Sequence, residues 1–390
     1  MRNRDSELAI DLYRGIAALL VLLAHALTYA LKAVHGADST TYPFIDRLAR
    51  ASLGSGTFWV WGFFVLSGFC IHQSIARDQQ RQTFSIPRYA LGRITRIYPL
   101  MLIGLALAAL VWWLTGGAAS PGEAFPVGKL IATLFFAQQF VGDFPGYDPA
   151  WSLCNEALYY ILWPILLIIC RWQVTRAAVI GAISSFVVAL ALVAVWKTAF
   201  AGDGQHWLVP AWCMIALFVV WLAGAALASI WQWLQPRMTP RLAWFAIVWL
   251  ALIYSINVAI HYYHARAWTY TLAAYATAPA FALLIASGHH LRLSQSHFWQ
   301  KLATWLGTLS YPCYLLHQPV LDFLEYAVMH RLPVSIQESP WLHTVTLAVP
   351  ATLFVSVLGV TLEKRVMAWR ARILGGRPSP LPSTTATSIA

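Results

Sequence analysis

Apolar residues run along this chain in blocks about twenty residues long, separated by short segments that hold most of its charge. Ten blocks read as membrane-spanning helices: 8–31, 57–76, 97–114, 155–171, 177–196, 210–234, 242–263, 268–287, 302–329 and 343–366. A further run, 128–140 (GKLIATLFFAQQF), is too short to span and predicts a re-entrant or interfacial helix in the third loop. The predicted fold class is an all-α membrane protein, a polytopic bundle of about ten transmembrane helices. No internal repeat is visible. One transmembrane domain covers 1–372, and 373–390, which includes GGRPSPLPSTTATSIA, reads as a disordered tail.

Composition sharpens this. The 390 residues are 59% hydrophobic and 11% charged, which excludes an ordinary soluble domain. A net charge of +11 raises the question of nucleic acid, but the basic residues form no single patch. Of the 26 Lys and Arg, eighteen fall in alternate segments on the side of the N-terminus and seven on the other side, with Arg14 inside the first span. That bias predicts cytoplasmic termini in a bacterial-type inner membrane, with the bilayer as partner and no nucleic acid. The N-terminus imitates a signal peptide, but its apolar run is long and contains Arg14, so cleavage is not expected. Five cysteines (Cys70, Cys154, Cys170, Cys213, Cys313) lie in or beside apolar segments, without metal-ligand spacing and without a disulfide framework.

Several polar residues sit where lipid would make them costly. Arg14 and His25 are eleven residues apart on the first span, so they share a helix face about 16 Å apart. Each alone has a plain explanation, snorkelling for Arg14 and a satisfied core histidine for His25. On one face together they suggest a polar cavity or substrate path. Arg93 and Arg96, three apart before Pro99, form a pair suited to phosphates, whereas Arg77, Arg81 and Arg88 read as positive-inside anchors. Glu156, at the outer start of the fourth span, either caps that helix or stands beside His25 and sets its tautomer. Gly62 and Gly68 suit close helix packing, and Ser67 suits either a neighbouring helix or a ligand. In the ninth span, His317 reaches the depth of His25 and Glu156, Tyr314 shares its face, and Pro312 kinks the helix. No metal site is expected.

These stretches, in this order, resemble the acyltransferase-3 family of integral membrane O-acyltransferases, from about Leu8 to Val320. The matching pieces are Asp11, Arg14, Gly15 and His25; Phe63 to Phe69; Arg93, Arg96 and Pro99; Trp151, Ser152, Leu153 and Glu156; and Ser310, Tyr311, Tyr314, Leu315 and His317. Asn155, before Glu156, departs from the small residue common there. The resemblance implies a ten-helix bundle that takes an acyl group, commonly acetyl, from cytoplasmic acyl-CoA. The group goes to a hydroxyl of a glycan, antibiotic or lipid-linked sugar. It also implies that Arg14, His25, Arg93 and Arg96 are essential. Many relatives carry an extra periplasmic esterase-like domain; none is expected in this chain.

On that basis Arg93 and Arg96, with Arg14, are expected to bind acetyl-CoA or another acyl-CoA. His25 acts as general base with Glu156 orienting it, either directly or through an acyl-histidine. His317, Tyr314, Trp151 and Ser67 are expected at the substrate. The outer loops 115–154 and 197–209, with Tyr147, Trp207, Trp59 and Trp61, would shape the acceptor site. A competing class is a transporter or flippase for a small or lipid-linked solute, because intramembrane Arg, His and Glu also mark solute paths. Against it, the spans lack a repeated pair of broken helices. A catalytically silent scaffold is the third reading.

Overall fold

A computed structural model describes residues 3–118, 122–200, 208–263 and 267–374. Among these residues the secondary structure is all helical, with no strand. The helices are α1 (Arg4–His35), α2 (Phe44–Ser52), α3 (Gly56–Gln80), α4 (Ile86–Leu114), α5 (Val127–Leu134), α6 (Gln138–Val141), α7 (Trp151–Ile169) and α8 (Val174–Ala199). They continue as α9 (Leu208–Leu234), α10 (Pro240–Tyr262), α11 (Ala267–Ser287), α12 (His297–Phe323), α13 (Val334–Gln337), α14 (Pro340–Phe354) and α15 (Val360–Ile373). A π-helical turn, Val355–Gly359, joins α14 to α15 in one stretch. Trp207, Arg266 and the tail from 375 to 390 lie outside the described residues.

Among the described residues, nine helical stretches are long and apolar enough to cross a membrane. α12, with 27 residues, is long enough but too polar to join them. The chain is thus an all-α polytopic membrane protein. Local chemistry sets the ends of its helices. Asn3 accepts from Asp5 N–H to cap α1, and Ser85, Thr239 and Ser339 cap α4, α10 and α14. Each of those three has Pro in its first turn, where the missing N–H costs nothing.

The expected helix over 128–140 is broken in two. α5 stops at Leu134, Phe136 takes a left-handed φ of +57°, and Ala137 N–H returns to Ala132 O at 2.7 Å. This is the αL termination usually given to glycine, made here by a phenylalanine, so the sequence carries no breaker to announce it. α4 begins eleven residues earlier than the expected span, which puts Arg88, Arg93 and Arg96 on the helix itself.

α1 and α12 form the axis of the bundle. They run parallel and in register: Gly15 meets Leu306, Ala18 meets Cys313, His25 meets His317, and Tyr29 meets Asp322. α3 crosses α9 equally closely. A Cβ on Gly68 would fall 2.0 Å from Trp221 O, and one on Gly224 would fall 1.9 Å from Val65 O. Only glycine lets the two backbones touch, which is how helices associate where lipid offers no hydrophobic drive. α8 and α10 lie at the periphery; just 17% and 11% of their apolar windows are buried, against 67% for the stretch containing α3. All five cysteines are free thiols.

Candidate functional site

Two histidines meet where α1 and α12 run side by side. His317, fully buried, donates Nδ1–H to Cys313 O at 2.8 Å in its own helix. His25 has Nδ1 3.0 Å from Val21 O, also four residues back, and 3.1 Å from His317 Nε2. One set of protons satisfies all three contacts. Both rings carry hydrogen on Nδ1, His25 shares its N–H between Val21 O and His317 Nε2, and His25 Nε2 keeps a free lone pair. This tautomer is assigned from the hydrogen-bond pattern.

His25 faces a wide cavity of about 660 Å³, lined also by Tyr29, Lys32, Arg50, Asp148, Trp151 and Gln318. Its wall is hydrogen-bonded: Tyr29 bonds to Asp322, and Gln318 Nε2 donates to Tyr29 Oη at 2.5 Å. Toward the N-terminal end of α1 lies a narrower cavity of about 180 Å³, lined by Arg14, Ser67, Arg93, Arg96, Glu156 and Tyr311 among others. Val60 and Tyr314 line both cavities and form the partition between them. Tyr314 is fixed there, donating to Pro149 O at 2.7 Å and lying 2.7 Å from Ser152 Oγ.

Each expected site residue can now be placed. His25 and His317 are in contact. Arg14 binds Gly307 O at 2.8 Å and pairs with Asp11 at 3.1 Å, which ties α1 to α12 beside the narrow cavity. Trp151 lines the wide cavity, and Ser67 lines the narrow one. Ser67 accepts from Trp221 Nε1 at 3.1 Å and lies 3.3 Å from Tyr160 Oη. Arg93 and Arg96 share the narrow cavity but differ in setting. Arg96 lies over the Tyr311 ring and pairs with Glu363 at 2.5 Å, whereas Arg93 lies near the rings of Tyr89 and Tyr160.

Glu156 departs from its expected place. It shares no hydrogen bond with His25, lines the narrow cavity, and accepts from Tyr160 Oη at 3.2 Å. The reason lies in the helix. α7 starts at Trp151, not 155, so Glu156 is its sixth residue and sits more than one turn deeper than the expected span start implied. The groups that touch His25 Nδ1 are Val21 O and His317 Nε2. Sequence reading also missed Tyr29, one turn beyond His25 on α1, and Gln318 and Asp322, which follow His317 on α12. It missed Glu363 and Arg370 too, which resemble the topological anchors around them (TLEKRVMAWRAR).

Outside the spans, burial first and then neighbouring Asp148 push the Asp143 carboxyl up to about 7.

A family model described as an acyltransferase domain matches residues 7–360. An uncharacterized protein of Haemophilus influenzae is 31% identical over 122 residues, 27% of this chain and 47% of that protein. Nodulation protein 10 of Rhizobium leguminosarum bv. viciae is 28% identical over 197 residues, 46% of this chain and 50% of that protein. The chain spans about half the length of these curated relatives. No solved structure matches it. Since the family model covers nearly the whole chain, from the first helix past the last π-helical turn, the chain belongs to the acyltransferase-3 family.

Proposed function

We propose that the chain is a membrane O-acyltransferase that moves an acyl group, acetyl by family habit, from cytoplasmic acyl-CoA to a hydroxyl of an extracytoplasmic or lipid-linked glycan. The observation that carries this reading is the free Nε2 of His25, held by Val21 O and His317 at a cavity that adjoins an arginine-lined one across Tyr314.

The chain's residues suit the two substrates differently. The narrow cavity offers guanidiniums, which grip phosphates through paired N–H donors. The donor would enter there, with Arg93, Arg96 and Arg14 at its phosphates and the thioester directed toward Tyr314. The wide cavity offers a tryptophan, tyrosines and acceptor oxygens, which suit a sugar. The acceptor hydroxyl lies against His25 Nε2, its oxygen attacks the thioester carbonyl carbon, and His25 takes the proton. The carbon–sulfur bond then breaks and the leaving thiolate receives that proton. His317 accepts from His25 Nδ1–H throughout, which keeps Nε2 the basic nitrogen. General-base help of this kind is worth about 10²–10⁴ in rate. In a variant of the scheme, His25 Nε2 attacks the thioester first and passes the acyl group on.

The test uses sealed vesicles carrying the full chain, with radiolabelled acetyl-CoA at the cytoplasmic face. Label should enter extracytoplasmic glycan with wild type and fall at least 10²-fold with a stably inserted His25→Ala. Persistent transfer by that variant would remove His25 from the mechanism. No transfer with any short-chain acyl-CoA across a broad acceptor pool would favour a transporter or flippase.

A further inference from the structure

The buried charges at the mouth of the narrow cavity do not balance within the protein. α15 lies against the first half of α4 and brings two charged residues, Glu363 and Arg370, two turns apart on one face. Glu363 holds Arg96 through Oε1, and Met367 Sδ lies 3.4 Å from the same Arg96 nitrogen. Arg370 donates Nη2 to Gly92 O at 3.1 Å, which places its guanidinium beside the residue that precedes Arg93.

Three guanidiniums therefore converge from two helices, and they repel one another. Glu363 is the carboxylate bonded to one of them, and Glu156 faces Arg96 and Arg93 from α7. Even so, Arg93 Nε and Arg370 Nε are buried donors with no acceptor. Buried donors of this kind are normally satisfied, and charged ones are especially costly to leave open. Arg96 already has a carboxylate partner; in the cluster of α4 and α15 the open donors belong to Arg93 and Arg370, and Glu363 Oε2 is an open acceptor, while Arg14 Nε is open elsewhere on the cavity wall. Their need is for an anion rich in acceptor oxygens, reached from two sides. A phosphate or diphosphate meets it, and a guanidinium binds such groups through its planar fork.

We propose that Arg370 is a further phosphate-binding residue beside this cavity, acting with Arg93 on the nucleotide phosphates of the acyl donor. The proposal deepens the acyl-CoA reading and rests on it. It divides the work within the pair on α4: Arg93 faces the ligand together with Arg370, and Arg96 is held in place by Glu363.

The experiment measures binding of coenzyme A and of inorganic pyrophosphate to the full chain in nanodiscs by calorimetry, with the melting temperature recorded alongside. Arg370→Gln should weaken coenzyme A binding tenfold or more. It should also flatten the dependence of log Kd on salt, because one phosphate contact has been lost. Arg370→Lys keeps the charge without the fork and should fall between, so the test survives if the glutamine variant does not fold. A purely structural Arg370 would lower the melting temperature and leave the salt dependence unchanged. Coenzyme A binding by Arg370→Gln within twofold of wild type overturns the proposal. If the wild type binds pyrophosphate through Arg370 but does not bind coenzyme A, the phosphate site stands and the acyl-CoA reading falls. If the wild type binds neither, both fall.

Discussion

Adding one methyl group at Gly15 tests whether the close contact of α1 and α12 sets the geometry of the two histidines. A Cβ there falls 2.4 Å from Leu306 Cβ and 2.7 Å from the carbonyl carbon and oxygen of Leu306. Backbone atoms cannot swing aside as the tip of a long side chain can. Leu306 Cβ is fixed to that backbone too, so returning the 2.4 Å contact to an ordinary 3.4 Å requires the helices to part by about 1.0 Å at this level. Carried about 15 Å up a stiff helix, that displacement takes His25 Nδ1 and His317 Nε2 from 3.1 Å to about 4.1 Å, beyond hydrogen-bond reach. Overpacking of this kind costs about 1–3 kcal/mol of stability. Losing only the histidine hydrogen bond, worth about 1 kcal/mol, slows the reaction about fivefold. Misplacing His25 by about an ångström extends the loss toward about 10²-fold. The assay is transfer of labelled acetyl in reconstituted vesicles, with thermal unfolding in parallel. Gly128→Ala is the control, since a Cβ on that helical glycine meets nothing within 4 Å. A Gly15→Ala protein with wild-type rate and wild-type melting temperature would refute the reasoning.

Two further substitutions probe the partition and the loop before α7. Tyr314→Phe leaves Pro149 O without its donor and Ser152 Oγ without its phenol partner, both buried. The expected loss is about 1–3 kcal/mol, read as a lower melting temperature in nanodiscs; an unchanged one would contradict it. Asp143 has a folded pKa of about 7, above the usual carboxylate value, so its stabilising contribution is greatest in acid and is lost as pH rises through about 7. Asp143→Asn should therefore melt higher than wild type at pH 8, with a smaller gap at pH 5.5; parallel profiles would count against that assignment.

The lipid-facing part of the fold was plain in the sequence because lipid imposes a single demand on it. α8 and α10 are apolar on nearly every side, and the expected spans 177–196 and 242–263 fall within a few residues of Val174–Ala199 and Pro240–Tyr262. The start of α4 was harder to see. Its first turns carry Arg88, Arg93 and Arg96, which read as loop by hydropathy, although Ser85 and Pro87 mark a helix start on capping grounds. The site shows the same division. Depth along a helix can be read from its span, so His25 and His317 were expected at one level. That reading is only as good as the span's start, and Glu156 shows the consequence: a four-residue error in the start of α7 moved it into the other cavity.

α12 is the helix least like a membrane span, and it carries more of the site than any other. His317, Gln318, Asp322, Ser310 and Tyr314 all point from it into protein, and all are buried. In a bilayer such residues are tolerated only where other helices cover them, and α1, α4, α14 and α15 provide that cover. The parallel register with α1 then has a chemical result. It repeats a polar pair at successive levels, Arg14 with Gly307, His25 with His317, and Tyr29 with Asp322. The lowest pair borders the arginine cavity, and the upper two border the wide one. Both cavities therefore border the same two helices, and Tyr314, one turn below His317, stands between them.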